Sequence, residues 1–193
     1  MSTFTPYIPD WFDTRKASQV TAFFAKMAGG SINILRATKL VYLADRLSMR
    51  ERDHPITGDN FVSMRFGPVN TYTYSYMKGQ AAVRINEWSE FIGSERWHQL
   101  PLAKEIELDE LDELSRADLK VLHDTWDTFK DITDQFELAE FTHIHCPEWR
   151  DPNGSSVPID FATVFKRLDK ADPIELAEQI QAERALAASL HSE

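Results

Sequence analysis

Leu119, Leu122, Trp126, Phe129, Ile132 and Phe136 step along the chain by three or four residues. That spacing lays six large apolar side chains along one stripe of a helix, whereas a strand would scatter them over two faces. Asp118, Asp124, Asp127, Asp131 and Asp134 fall mostly on the other faces, as a half-solvated helix requires. Ser115 is placed to cap this segment. Asp134-Gln135-Phe136-Glu137 has the form of a capping box, so a new helix is predicted from there to about His145, before Cys146-Pro147.

The same punctuation organises the rest. A first helix is expected from Asp13 or Thr14 to Gly29-Gly30, with Val20, Phe23, Phe24 and Met27 at helical spacing. A second follows, capped by Ser31 or Asn33 and fading near Arg52, with Ile32, Leu35, Leu40, Leu43 and Leu47 inward. Phe61 to Phe66 alternate as a short strand. Gly67 then turns the chain, and Pro68 suits the first position of a helix ending at Gly79. Residues 83–102 are expected as a β-hairpin turning at Gly93-Ser94-Glu95, with Val83 and Ile85 in its first strand and loop as the alternative. Asp172, Pro173 and Glu175 announce a final helix whose apolar stripe, Leu176, Ile180, Ala187 and Leu190, is thin. The fold class expected is mainly α (α+β), a compact helical domain with a small antiparallel sheet or hairpin. Its expected parts are an arm over 1–12, a domain over 13–170 and a C-terminal helix over 171–193.

At 193 residues one domain can bury about 70% of its unfolded surface without staples. Cys146 is the single cysteine, which excludes an internal disulfide and fits a reducing compartment. No apolar run approaches the ~20 residues of a membrane span, and the N-terminus lacks the pattern of a signal peptide. A soluble cytoplasmic protein is expected. The net charge of −10 is uneven: residues 103–140 hold 4 basic and 13 acidic residues, a net −9. Such a stretch is either a solvated helix face or a surface that attracts basic partners and repels nucleic acid.

Signatures of chemistry are weak. His143, His145 and Cys146 lie close together, but their spacing matches no zinc motif, and i, i+2 positions face different sides of a helix. His143 is expected instead as a buried imidazole bonded to backbone. Cys146 sits at a helix C-terminus, the wrong end to activate a thiol. No Gly-rich phosphate loop or nucleophile-elbow motif occurs. No metal and no cofactor are expected. Arg46, Arg50 and Arg52 form a basic cluster, read as complementing a helix C-terminus rather than as a nucleic-acid site. Protein binding has more support. Tyr42, Phe66, Tyr72, Tyr74, Tyr76, Trp97 and Trp149 are many amphipathic rings for one domain, and such rings, with Arg, anchor interfaces. Tyr42 and Trp149 are expected in the core. Tyr74 and Tyr76 stand two apart on a predicted helix, so at least one must be a surface ring.

At Lys39-Leu40-Val41-Tyr42 with Ala44-Asp45, Gly67-Pro68-Val69, Tyr74, Thr142-His143 and Pro147-Glu148-Trp149, the chain resembles the Panacea antitoxin domain family, also known as SocA-like or GepA-like. The ordered set spans about residues 17–152. The resemblance implies a non-catalytic antitoxin that binds a toxin encoded beside it. It also implies two partners: the cognate toxin and, for an adaptor mode, a cytoplasmic AAA+ protease that degrades the delivered toxin. A metal-dependent hydrolase is the remaining alternative. Lys39, Tyr42, Asp45, Gly67, Pro68, Val69, Thr142, His143 and Trp149 are expected as scaffold. Arg65, Phe66, Tyr72, Tyr74, Tyr76, Trp97, Asp127 and Asp131 are the candidates for toxin contact. Family members often carry a DNA-binding segment, for which residues 1–12 are too short.

Overall fold

Helix boundaries fall where the capping residues place them. The computed structural model describes residues 7–190, so the first six residues of the expected arm and the last three of the expected final segment lie outside the described residues. Asp13 caps α1 (Thr14–Met27) by accepting from the Lys16 amide at 2.7 Å. Ala17, Val20, Phe23 and Phe24 on α1 are fully buried. Asn33 caps α2 (Ile34–Arg52), its Oδ1 accepting from the Leu35 and Arg36 amides at 2.9 and 3.3 Å. Each such cap satisfies amides that the first helical turn leaves without partners.

α2 is the axis of the molecule, touched by α1, by α5 (Arg116–Phe129), by α6 (Gln135–His145), by β3 (Gly67–Asn70) and by α7 (Phe161–Arg167). Arg36 donates to the Lys130 carbonyl at 3.1 Å and Arg52 to Asp118 at 2.7 Å, so α5 runs antiparallel to α2. Ser115 and Asp118 close a capping box at the start of α5, and Asp134 caps α6 through the Phe136 and Glu137 amides. α8 (Pro173–Leu190) folds back on α7. Among the described residues no helix is long and apolar enough to cross a membrane.

Two small antiparallel sheets complete the fold. β2 (Phe61–Met64) lies between β3 and β5 (Val157–Ile159). Here the structure corrects the sequence reading: Pro68 does not open a helix. Gly67–Asn70 pair with Phe61–Met64, and α3 (Thr71–Met77) starts three residues later. A proline without an amide hydrogen is tolerated because β3 is an edge strand. Gly67 has φ +101°, and a Cβ there would lie 2.4 Å from Thr142 Oγ1. Only glycine meets both conditions.

The expected hairpin over 83–102 is also corrected. Ile85–Ser89 form a short helix, α4, which buries Trp88 against α1. Only β4 (Gln99–Pro101) is strand, and it pairs with β1 (Ser31–Asn33), which the sequence reading missed. Val83 and Ile85, read as strand residues, are exposed and have no strand to face. What survives is narrower: isolated bridges join Ile92 to Leu102 and Arg96 to Gln99. In the second, Arg96 and Gln99 exchange two backbone hydrogen bonds of 2.9 Å across Trp97-His98.

Candidate functional site

The family-motif residues converge on one buried framework between α2, the β2–β3 turn and α6. The Lys39 ammonium is fully buried and donates to the Pro68 carbonyl at 2.8 Å. Burial lowers its pKa to about 7, with the Cys146 thiol a smaller opposing influence. Asp45 is equally buried. Its carboxylate accepts from the Ile56 and Thr57 amides at 2.8 and 2.9 Å, the Thr57 hydroxyl at 2.5 Å and Asn70 at 2.6 Å. Burial raises the Asp45 pKa, and these donors oppose the rise. Tyr42 donates to Glu148 at 2.6 Å, and Arg46 holds the same carboxylate at 2.7 Å. The Trp149 indole donates to the Met64 carbonyl at 2.9 Å. Val69 is buried in β3 opposite Val62, and Thr142 is buried under Gly67.

Two local expectations change. His143 is not bonded to backbone: it stacks on Trp149, ring centroids 4.1 Å apart, and its Nε2 has no partner among the described residues. Arg50 and Arg52 do lie in the last turn of α2, but Arg46 and Arg52 also neutralise the buried carboxylates of Glu148 and Asp118. Removing one partner of such a buried pair typically costs about 3–5 kcal/mol.

Asp59 was not singled out in the sequence, yet it caps α3 from outside. It accepts from the Tyr72 and Thr73 amides at 3.0 and 2.8 Å and from the Thr73 hydroxyl at 2.8 Å. Asn70, at the cap position itself, is engaged with Asp45 instead.

The candidate contact residues separate into two groups. Tyr76 is buried and 2% exposed, hydrogen bonded to Thr14 and to the Val83 carbonyl, and stacked on Trp88. Tyr72 is half-buried, packing on Trp11 and Phe12 while its hydroxyl accepts from Asn60 at 3.1 Å. Tyr74 is half-buried, and burial raises its pKa.

The other group lies around the first turns of α2. Arg65 and Phe66 form the β2–β3 turn, with the guanidinium 5.3 Å from the ring centre. Phe66 is 44% exposed and meets Phe136, 54% exposed, edge to face at 5.8 Å. Phe136 follows closely on Asp131 at the α5–α6 junction. The carbonyl of His98 accepts from the Ile34 amide at 2.8 Å, which seats the Trp97-His98 turn on the start of α2. Trp97 is 94% exposed. Both turn residues are left-handed, at φ +53° and +63°. Two-residue turns of this kind favour Asn-Gly, and bulky residues there are outliers.

The acidic stretch is divided rather than uniform. Asp118 is buried and pairs with Lys16 and Arg52, while the exposed Asp112 and Glu113 pair with Arg15 and the exposed Glu107 with Lys26. Asp127 is exposed and pairs only with Lys130, and Asp131 makes no ion pair among the described residues. Among those residues no group of three or more His, Cys, Asp or Glu is placed to hold a metal. Burial pushes the Cys146 thiol up to about 12. Phe136 was missed as a contact candidate because its spacing continues the α5 stripe. The capping box at Asp134 was the signal that a new helix re-aims it.

Residues 38–150 match the family described as Antitoxin SocA-like, Panacea domain, and the chain belongs to that family. The match is narrower than the span of about 17–152 suggested by motifs alone. None of the curated proteins and none of the solved structures compared with the chain matches it.

Proposed function

We propose that this protein is a cytoplasmic antitoxin that neutralises a cognate toxin by direct, stoichiometric binding. The contact is made by the end of the molecule that carries Phe66, Phe136 and Trp97. Membership of an antitoxin family supports the role. The observation that carries the choice of surface is the Phe66–Phe136 pair: two large rings left in water, Phe66 in the turn just before Gly67 and Phe136 in the first turn of α6. Arg65 lies over the Phe66 ring, and Asp127 and Asp131 precede Phe136 near the α5–α6 junction, so the partner fitted to this face offers apolar pockets bordered by Lys or Arg. Buried aromatic anchors at interface centres commonly contribute 2 kcal/mol or more.

The test is co-expression with the toxin encoded beside this gene, together with titration calorimetry of the purified pair. Phe66→Ser with Phe136→Ser, and separately Trp97→Ser, are expected to weaken binding by about tenfold or more and to lose rescue, with melting temperature kept. Charge reversal of Asp127 and Asp131 is expected to slow association and reduce its salt dependence. Undiminished rescue by all these variants would sink the proposed surface. Toxin abundance is the second readout. Unchanged levels mean occlusion, whereas a fall seen only while a cytoplasmic AAA+ protease is active means delivery for degradation.

A further inference from the structure

A cleft of about 310 Å³ opens between α2, α5 and α6, and it shares no residue with the Phe66–Phe136 face. Its floor is apolar: Phe129 is buried, and Phe141 is half-buried with its ring 4.9 Å from that of Phe129. Its polar lining comes from Arg46, Arg50, Thr125, Thr128 and His145. No carboxylate lines it, although the chain carries a net charge of −10 and α5 is rich in aspartate. The neighbouring α5 carboxylates are engaged elsewhere, Asp124 with Lys120 and Asp127 with Lys130. Cys146, also in the lining, stays a neutral thiol because burial holds its pKa near 12.

The cationic groups are placed and incompletely used. Arg46 is fixed from behind by Glu148, which takes Nε at 2.7 Å and Nη2 at 3.4 Å. Nη1 has no hydrogen bond among the described residues. Arg50 lies one turn further along α2, and its one ion pair there is a long one, 3.7 Å to Glu51. His145 stacks on Phe141 at 4.2 Å, and its ring nitrogens make no hydrogen bond among the described residues. The threonine hydroxyls already donate to the Val121 and Asp124 carbonyls, which leaves two guanidiniums and an imidazole bordering aromatic rings, and these match one kind of ligand. It has an oxyanion head for the guanidiniums and an apolar body for the rings.

We propose that this cleft is a binding site for a small amphipathic oxyanion, an aryl carboxylate or aryl phosphate, held between Arg46 and Arg50 with its ring on Phe129 and Phe141. The test is titration of the ¹⁵N-labelled full chain, without partner, followed by amide NMR. Phenyl phosphate and benzoate are the probes. Benzyl alcohol supplies the ring without the charge, and inorganic phosphate the charge without the ring. Saturable shifts at Thr125, Thr128, Phe141 and His145 are expected with both probes, each binding about tenfold or more tighter than either control. Arg50→Gln is expected to weaken the probes by about tenfold while leaving the melting curve unchanged, since Arg50 is exposed and its ion pair is long. The proposal is overturned if the shifts fail to saturate by about 10 mM. Equal binding of probes and controls, or an Arg50→Gln variant that binds as the parent does, would overturn it too.

Discussion

Residues in the left-handed region serve opposite ends in this molecule. At Gly67 the conformation is demanded by the fold, because Thr142 and Lys39 leave no room for a Cβ. At Trp97 and His98 nothing in the surroundings demands those side chains, and a turn of this shape accepts Asn-Gly more readily. Non-glycine residues in such positions cost about 1–3 kcal/mol each. Replacing Trp97-His98 with Asn-Gly is therefore expected to raise stability to urea unfolding by about 1 kcal/mol or more. On the proposed surface, the same variant should bind a cognate toxin less well, because the ring proposed as its anchor is gone. A gain in stability with binding kept would mean that Trp97 is not a contact, and a loss of stability would remove the claim of strain.

At the scale of elements, α8 is the informative case. Its stripe was expected to be thin, and among its described apolar residues only Ile180 is buried. Arg184 does the anchoring. It is buried between Trp11 at 4.1 Å and Phe161 at 4.7 Å, and donates to Asn60 at 2.8 Å and the Gly58 carbonyl at 2.5 Å. Arg184→Ala is expected to speed amide hydrogen exchange across 173–190 by about tenfold or more while α2 keeps its protection. Arg184→Lys should not restore it, because an ammonium cannot fork between two acceptors and lie flat on two rings. Uniform protection in the alanine variant would show that α8 docks by other means. The helices with caps were legible: Asp13, Asn33, Ser115, Asp134 and Asp172-Pro173 each mark a start found in the structure. β1 and β5, three residues each, are too short for alternation to register. α7 was missed although Asp160 offers a cap, because seven residues hold too few turns for a stripe to show. The burial of Lys39, Tyr42 and Asp45 was legible from helical spacing. The meeting of Phe66 with Phe136 was not, because they are about 70 positions apart in sequence and meet only in three dimensions.

For the whole molecule, ionisable groups in the interior couple stability to pH. Burial raises the Asp59 carboxyl from its ordinary 3.8 to about 7, against the three donors that favour its charged form. A raised acid is fully stabilising below its unfolded value, and that contribution is lost as pH climbs through about 7. Lys39 is displaced the other way, from 10.5 down to about 7, so its contribution is complete above 10.5 and lost as pH falls through about 7. The two together predict a trough near neutrality. In urea titrations across pH, Asp59→Asn should gain on the parent protein between about pH 4 and 7. Lys39→Met should have its largest advantage at or below about pH 7 and lose it towards pH 10. Parallel profiles for parent and variants would refute the assignment of these two groups.

The third strand of the β2 sheet has a practical consequence. β5 lies beyond residue 150, and α1 and β1 lie before residue 38, so both ends of the family-matched segment fall short of elements that close the fold. A fragment trimmed to 38–150 would retain every motif residue. It would also bare the β2 edge that β5 now covers and strip α1 from the face of α2. An open edge beside an uncovered apolar helix is a recipe for aggregation. The segment that carries the family match is therefore smaller than the unit in which the β2 edge and the α2 face are covered.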